Sequence, residues 1–342
     1  MVLVIYFPSL IVKKEKKMSR LRDIFKRYTG FLRDLKVVYV INNYLNSDKL
    51  QHNKALYKKY GVNKSIFSSI GRKDMPKSTD GIPWIDQPNA IQKVMKHPDF
   101  QTFSPDLQQK IIDFIENGYL ILEGFLNEKI VQNLNNSIED VLRNKEADFN
   151  FTGKKVMDAH KVSKEADDHF RNPELLKLLS FLLGKKVLPF QSINFREGSE
   201  QRAHSDSIHM TTEPEGYLIA TWSALEDCHE GNGSLFYYPK SHRLPFVSCE
   251  DYNAGHSVWL LGKESYPNYE DKIDAVIKEN QLEKKYFHAK KGDLLIWHAN
   301  LLHGGSGITQ KGTTRKSMVC HYYAEDVVCY HELTQRPALI NN

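Results

Sequence analysis

His204 and Asp206 stand two residues apart in His204-Ser205-Asp206, and far downstream His303 opens the stretch His303-Gly304-Gly305-Ser306-Gly307. On an extended chain, residues two apart project to the same side, so this imidazole and carboxylate enter the same space. Two imidazoles and one carboxylate form the facial triad of non-haem Fe(II) oxygenases. One carboxylate leaves the ferrous ion with a net positive charge, and three protein ligands leave adjacent positions open for a bidentate oxidant and O2. A fourth protein ligand would close the site, as in structural zinc. Arg315 follows His303 at the start of a strand. Its planar fork can take a carboxylate bidentately, where lysine would act only as a point charge. A triad with such an arginine suits 2-oxoglutarate, whose keto-acid end chelates iron and whose distal carboxylate needs a fixed cation. Without the triad, Arg315 would read as a solvated strand-end charge.

The chain has 14 histidines, and most need no special role. His209 has the wrong parity to share the face of His204, His298 lies earlier on its strand than His303, and His242 reads as ordering a loop. Gln191 and Asn194 lie on the strand before the His-x-Asp motif. They either point into the enclosure, where Gln191 would touch the co-substrate, or face solvent.

These groups need rigid elements. After Gly184, the runs 187–196, 217–225, 234–238, 293–298 and 316–323 are short and rich in Val, Ile, Phe, Tyr and Trp, with turn residues between them. Short strands without intervening helices predict a β-sandwich or barrel. Before them, Ser104-Pro105-Asp106 starts a helix that Asn117-Gly118 stops, 119–122 reads as a strand, and 127–143 and 173–183 read as helices. The segments 243–285, an insertion into the strand-rich part, and 150–170 are expected to cover the substrate.

A chain of 342 residues, 41% hydrophobic and 26% charged, can bury a large core, which excludes a disordered or fibrous protein. Cys228, Cys249, Cys320 and Cys329 form no close pair, so reduced thiols in a cytoplasmic setting are expected rather than a disulfide framework. No apolar run is long enough to span a bilayer. The apolar start 1–12 carries its lysines after it rather than before it, unlike a secretory signal, and Met18 is a candidate initiator. Residues 1–64 hold 15 Lys/Arg against 4 Asp/Glu, and the rest 32 against 38, so a basic arm precedes a mildly acidic body. Within 19–36, Leu21, Ile24, Phe25, Tyr28, Phe31, Leu32 and Leu35 form one apolar helical stripe. Its aromatics belong to the stripe and not to the basic face, so nucleic acid is not an expected partner. Residues 62–104 read as irregular linker anchored by Trp84.

From about Leu120 to Tyr323 the chain resembles the phytanoyl-CoA dioxygenase family of Fe(II)/2-oxoglutarate-dependent oxygenases. The residues that carry the likeness are His204-Ser205-Asp206, Trp222-Ser223-Ala224-Leu225-Glu226-Asp227, Asn232-Gly233-Ser234-Leu235, Tyr238-Pro239-Lys240-Ser241-His242, Gly292-Asp293-Leu294-Leu295-Ile296-Trp297-His298, His303-Gly304-Gly305-Ser306 and Arg315, in this order. Lys240 stands where that family usually has glycine. The resemblance implies a metal held by His204, Asp206 and His303. It also implies a distal carboxylate of 2-oxoglutarate on Arg315 beside Ser306, and further co-substrate contacts at Trp222 and Lys155. Trp222 reads equally as core. The aspartate in the motif favours hydroxylation over halogenation, in which that coordination position is left open.

The resulting expectation is a mainly β protein with flanking helices (α+β), a double-stranded β-helix (jelly-roll, cupin-like) barrel with a helical N-terminal extension. The expected parts are a basic extension over 1–104, the oxygenase domain over 105–330 with its insertion, and a tail over 331–342. The expected activity is Fe(II)- and 2-oxoglutarate-dependent hydroxylation of an aliphatic C–H bond in a small molecule, with succinate and CO2 as co-products. Two alternatives stay open: a cupin-like metalloenzyme that does not use 2-oxoglutarate, and an inactive ligand-binding barrel. Substrate identity and oligomeric state are not legible.

Overall fold

The structure, a computed structural model, describes residues 35–76, 81–150, 153–254, 256–257, 259–262 and 265–340. The amphipathic helix expected over 19–36 and the apolar start lie outside the described residues, apart from Leu35 and Lys36. Helices α1 (Lys36–Leu45), α2 (Asn53–Lys59) and α3 (Ala90–Lys96) come first, so the stretch read as irregular linker holds a helix of its own. Trp84 anchors it: its indole N–H lies 2.9 Å from each of the backbone carbonyls of Phe181 and Leu182.

Helix α4 (Pro105–Asn117) begins where the Ser104 hydroxyl accepts the Leu107 N–H, and Gly118 ends it at a φ of 84°. Strand β1 (Tyr119–Leu122), helix α5 (Glu128–Arg143) and strand β2 (Lys155–Met157) follow, then α6 (Lys164–Phe170) and α7 (Pro173–Leu183). Asn127 and Asn172 cap α5 and α7 through their side-chain oxygens.

The remaining strands are β3 (Val187–Phe195), β4 (Thr211–Glu213), β5 (Leu218–Ala224), β6 (Leu235–Tyr237), β7 (Lys285–Phe287), β8 (Leu294–His298), β9 (His303–Gly305), β10 (Ser317–Ala324), β11 (Val328–His331) and β12 (Arg336–Pro337). They form a six-stranded sheet in the order β1-β8-β5-β10-β3-β2 and two three-stranded sheets, β7-β6-β9 and β12-β11-β4. All pairings are antiparallel. One face of the large sheet packs on the helices, with Ile219, Ile296 and Met318 against Phe114, Leu134 and Leu179. The other face packs Trp222, Leu295, Trp297 and Val319 against Leu235, Tyr237 and Phe287 of the small sheet. Strands buried on both faces explain why β5, β8 and β10 read as continuous apolar runs rather than as alternating ones.

The insertion contains helix α8 (Ser265–Glu279), whose Tyr269 and Ile273 pack with Ile208, Phe236 and Leu302. It lies behind the His-x-Asp turn, and among the described residues it lends none to the main cavity, which the 150–170 segment does line. Residues 331–340, expected as a tail, complete β11, form β12 and pack Leu339 with Leu50, Tyr57 and Tyr60 of the N-terminal part. These residues pack into the body across more than 250 positions of sequence, a contact that no local pattern announces. No helix among the described residues is long and apolar enough to cross a membrane.

Lys240 adopts φ 68° and ψ −5° and donates its N–H to Asn117 O at 2.9 Å. The left-handed turn is kept without the glycine that relieves its Cβ strain. Replacing it, Lys240→Gly, is expected to stabilise the fold by about 0.5–1 kcal/mol. That is a rise of about 2 °C in Tm by thermal denaturation; a fall in Tm would show that the lysine side chain outweighs the strain.

Candidate functional site

His204 and His303 meet backbone to backbone. Each donates its N–H to the other's carbonyl at 2.9 Å, a two-residue antiparallel bridge between the His-x-Asp turn and β9. The approach requires glycine: a Cβ on Gly304 would lie 2.6 Å from Gln201 O and 2.5 Å from the Phe236 ring. The bridge brings the two imidazole centroids to 4.5 Å. Asp206 opens a short 3-10 turn (Asp206–Ile208) rather than continuing a strand, yet its carboxylate joins them. One donor atom from each of His204, Asp206 and His303 lies within 4.8 Å of the other two, and all three residues are buried.

The orientation of each group follows from its other contacts. His204 Nδ1 lies 2.9 Å from Arg202 O and His303 Nδ1 lies 3.0 Å from Leu301 O. A carbonyl only accepts, so both Nδ1 atoms carry the proton and both Nε2 lone pairs are left available. His303 Nε2 lies 3.7 Å from Asp206 Oδ1, and the other oxygen, Oδ2, accepts the Trp297 indole N–H at 2.7 Å. His321 Nε2 stands 3.6 Å from the same Oδ2. Burial opposes charge on Asp206, but the imidazoles of His303, His321 and His204 outweigh it and hold the carboxyl far below its usual range. Burial and the neighbouring His303 keep His204 neutral well below the usual imidazole range. Two imidazoles that turn Nε2 inward and one ionised carboxylate with a free oxygen are a donor set that fits a divalent ion with open positions.

The trio opens onto a cavity of about 640 Å³, which Lys155, Gln191, Trp222 and Arg315 also line. Arg315 is 2% exposed, and its guanidinium stacks 5.3 Å from the Trp222 ring and 5.8 Å from the Phe195 ring. Among the described residues no carboxylate forms an ion pair with it, and its Nε is buried without a partner. Burial lowers its pKa. An unpaired buried guanidinium costs several kcal/mol, so the cavity presents an unmet demand for an anion. Lys155 is half-buried, its ammonium 5.3 Å from the Phe195 ring, and burial lowers its pKa. The Trp222 indole N–H is buried with no partner among the described residues. Ser306 stands apart: it does not line this cavity, although its hydroxyl is buried and unpartnered among the described residues.

Gln191 and Asn194 have opposite parity on β3. Gln191 faces the cavity, while Asn194 faces α5 on the other side of the sheet. His209 shares the cavity but is not one of the trio; its ring stands 6.3 Å from His204. His298 turns away to Asp86, at 3.2 Å, and His242 reaches Ile115 O at 3.2 Å. Cys320 is packed in the core. The sequence reading did not include His321, Tyr323, Trp297 or His331 among the site residues. His321 and Tyr323 were within reach, because on β10 they keep the odd parity of Arg315, which stands two residues before it. Nothing in the sequence marks His331.

Helix α8 braces the motif from behind. The fully buried Tyr269 accepts the Ser205 N–H at 2.9 Å, between two of the trio. Arg202, whose carbonyl holds His204, is itself held by Glu270, Asp271 and Asp274 of the same helix.

Residues 114–317 match the family model described as Phytanoyl-CoA dioxygenase (PhyH). The peroxisomal phytanoyl-CoA dioxygenase of Bos taurus is 22% identical over 243 residues, covering 63% of this chain and 67% of that protein. The peroxisomal phytanoyl-CoA dioxygenase of Homo sapiens is 21% identical over 272 residues, covering 69% and 75%. Among solved structures, the non-haem α-ketoglutarate-dependent carbocyclase SnoK from nogalamycin biosynthesis has a TM-score of 0.54 at 18% identity, covering 67% of this chain and 87% of that one. EctD from S. alaskensis with bound Fe has a TM-score of 0.50 at 19% identity, covering 65% and 77%. These likenesses establish the fold of the shared part.

Removing the α8 brace with Tyr269→Phe leaves Ser205 N–H unpaired and loosens the two residues on either side. Affinity for Co(II), read by titration, is expected to fall about 10-fold or more. Tyr252→Phe, in the same cluster but bonded to Cys249 Sγ, is expected to leave it unchanged. Equal losses in both variants would assign Tyr269 a role in stability alone.

Proposed function

The chain belongs to the phytanoyl-CoA dioxygenase family, and on that premise we propose that it is an Fe(II)- and 2-oxoglutarate-dependent dioxygenase that hydroxylates an aliphatic C–H bond of a small organic substrate. The observation that carries the reading is one cavity holding both a metal-competent His-Asp-His trio and a buried guanidinium that forms no ion pair with a carboxylate among the described residues. Iron, 2-oxoglutarate and O2 would together supply the oxidising power, with succinate and CO2 as co-products.

The chain's own residues set the conditions for that chemistry. His204, Asp206 and His303 would hold the ion on one face, with Arg202 O and Leu301 O fixing the tautomers and Trp297 fixing the carboxylate. Arg315 would take the distal carboxylate of 2-oxoglutarate, its guanidinium kept planar against Trp222 and Phe195. Lys155 and Gln191, on adjacent strands, would add polar contacts to the co-substrate. Ser306 is kept beside Arg315 in this proposal on the family likeness. The apolar surround of Ile193, Leu235 and Val319 would exclude water from the reacting groups.

The packing of the large sheet on the β7-β6-β9 sheet around this site supports reading the two as the halves of a double-stranded β-helix. The four cysteines, all buried and unpaired, are in keeping with a cytoplasmic location. A cupin-like metalloenzyme without 2-oxoglutarate would have no use for a buried, anion-seeking Arg315. An inactive binding barrel would have no use for three donors oriented by three separate hydrogen bonds.

Anaerobic titration with Fe(II) and 2-oxoglutarate, followed by the visible charge-transfer band, tests the reading. The wild type is expected to develop the band and His204→Ala to lose it. Arg315→Ala is expected to raise the 2-oxoglutarate Kd about 30- to 100-fold, the loss of a charge-assisted pair worth about 2–3 kcal/mol. Iron binding without any band would favour the co-substrate-free metalloenzyme.

A further inference from the structure

Helix α1 is built inside out. Its two buried residues are polar, and both are partnered: the Lys36 ammonium donates to Gln335 Oε1 and to Ser257 O at 2.7 Å each, and the Asn43 amide donates to Phe67 O at 3.0 Å. Its apolar residues lie on the other side. Val37, Ile41, Tyr44 and Leu45 recur at i, i+4, i+7 and i+8, so they form one stripe, and they are 45%, 56%, 68% and 75% exposed. The partners of Lys36 and Asn43 fix the roll of the helix and hold this stripe outward. The loop before α8 extends it. Trp259 is 70% exposed and Leu260 44%, and both are tied to the start of the helix. Trp259 O accepts the Lys36 N–H at 2.9 Å, and Leu260 pairs with Leu35 in an isolated antiparallel bridge. One exposed apolar side chain needs no explanation, but six along one helix and the loop at its start mark an interaction surface.

Charge selects what lies against it. Residues 1–64 hold 15 Lys/Arg against 4 Asp/Glu, and the apolar stripe read over 19–36 in the sequence leads into α1 through Leu35. A second copy of the chain would bring like charge to like charge. An anionic bilayer would take the apolar side chains into its headgroup boundary and hold the lysines and arginines at its surface. Tyr44 and Trp259 supply the two ring types that favour that boundary.

We propose that the outward face of α1, with Trp259 and Leu260, docks on the surface of a membrane that contains anionic lipids. The docking is peripheral, since no helix among the described residues is long and apolar enough to cross a bilayer. It stands independently of the oxygenase reading. Asn42 and Asn43, on the other side of α1, line the main cavity, so the helix is the wall between that cavity and the docking face.

The test uses the full chain and phosphatidylcholine vesicles with and without phosphatidylserine. Partition is expected to be at least about 10-fold stronger onto the anionic vesicles, because each Lys or Arg near such a surface adds attraction. The double variant Ile41→Gln/Leu45→Gln, which keeps good helix formers in α1, is expected to lower that partition at least about 10-fold with an unchanged thermal midpoint. Ile130→Gln, at an exposed apolar residue of α5, is expected to leave it unchanged. Brominated lipid gives a second reading. Trp222 and Trp297 are buried and Trp84 is half-buried, so a contact quencher in the bilayer reaches Trp259. Emission is expected to fall on brominated anionic vesicles, and Trp259→Phe to remove that quenching. No binding to either vesicle, partition indifferent to phosphatidylserine, partition that the double variant keeps, or bound protein whose emission is not quenched would each overturn the proposal. Self-association abolished by the double variant, without vesicle binding, would assign the face to a second copy instead.

Discussion

Two backbone hydrogen bonds, exchanged between His204 and His303, join segments about a hundred residues apart and set the geometry on which the site depends. They lock the imidazoles into neighbouring positions, and the carbonyls of Arg202 and Leu301 then turn both Nε2 atoms inward. Gly304 is needed because the bridge leaves no room for a side chain between β9 and the His-x-Asp turn. Trp297, on strand β8 of the large sheet, completes the arrangement by occupying one oxygen of Asp206. None of the three groups depends on its own rotamer preference alone. Each is held by a partner that belongs to the scaffold.

The same scaffold stores unfavourable electrostatics. Arg315 is buried with no carboxylate opposite it, and the Trp222 indole N–H and the Ser306 hydroxyl are buried without partners among the described residues. Groups left in this state lower stability, and natural proteins keep them where function depends on them. In the proposed function, Arg315 and Trp222 place that cost on the side of the cavity that would receive 2-oxoglutarate. The apolar packing of β5, β8 and β10 against the helices on one side, and against the small sheet on the other, gives the stability that tolerates it.

Outside the shared domain the chain closes on itself. The N-terminal helices and the last strands pack through Leu50, Tyr57, Tyr60, Val328 and Tyr330, and from that junction their polar residues reach the cavity. Residues from outside the shared domain thus form part of the cavity wall that the family match does not cover. The insertion has a different task. Its helix α8 stands behind the motif and stiffens it through Tyr269 and Arg202.

Much of this was legible in the sequence, because it depends on local chemistry. Ser104, Asn127 and Asn172 mark helix starts, Gly118 and Gly184 mark helix ends, and the apolar runs mark strands buried on both faces. The pairing of His204 with Asp206 follows from their spacing, and odd parity carries from Arg315, just before β10, to His321 and Tyr323 on it. What the order of residues could not disclose is contact between distant parts. The bulge that leaves Phe190 unpaired beside Gln191, the turn of His298 toward Asp86 and the seating of α8 behind Ser205 are of this kind. So is the arrival of Lys49, His331 and Arg336 at one end of the cavity. Local pattern encodes how a segment sits relative to its own neighbours, whereas these placements are decided by which buried faces fit one another once the chain has collapsed.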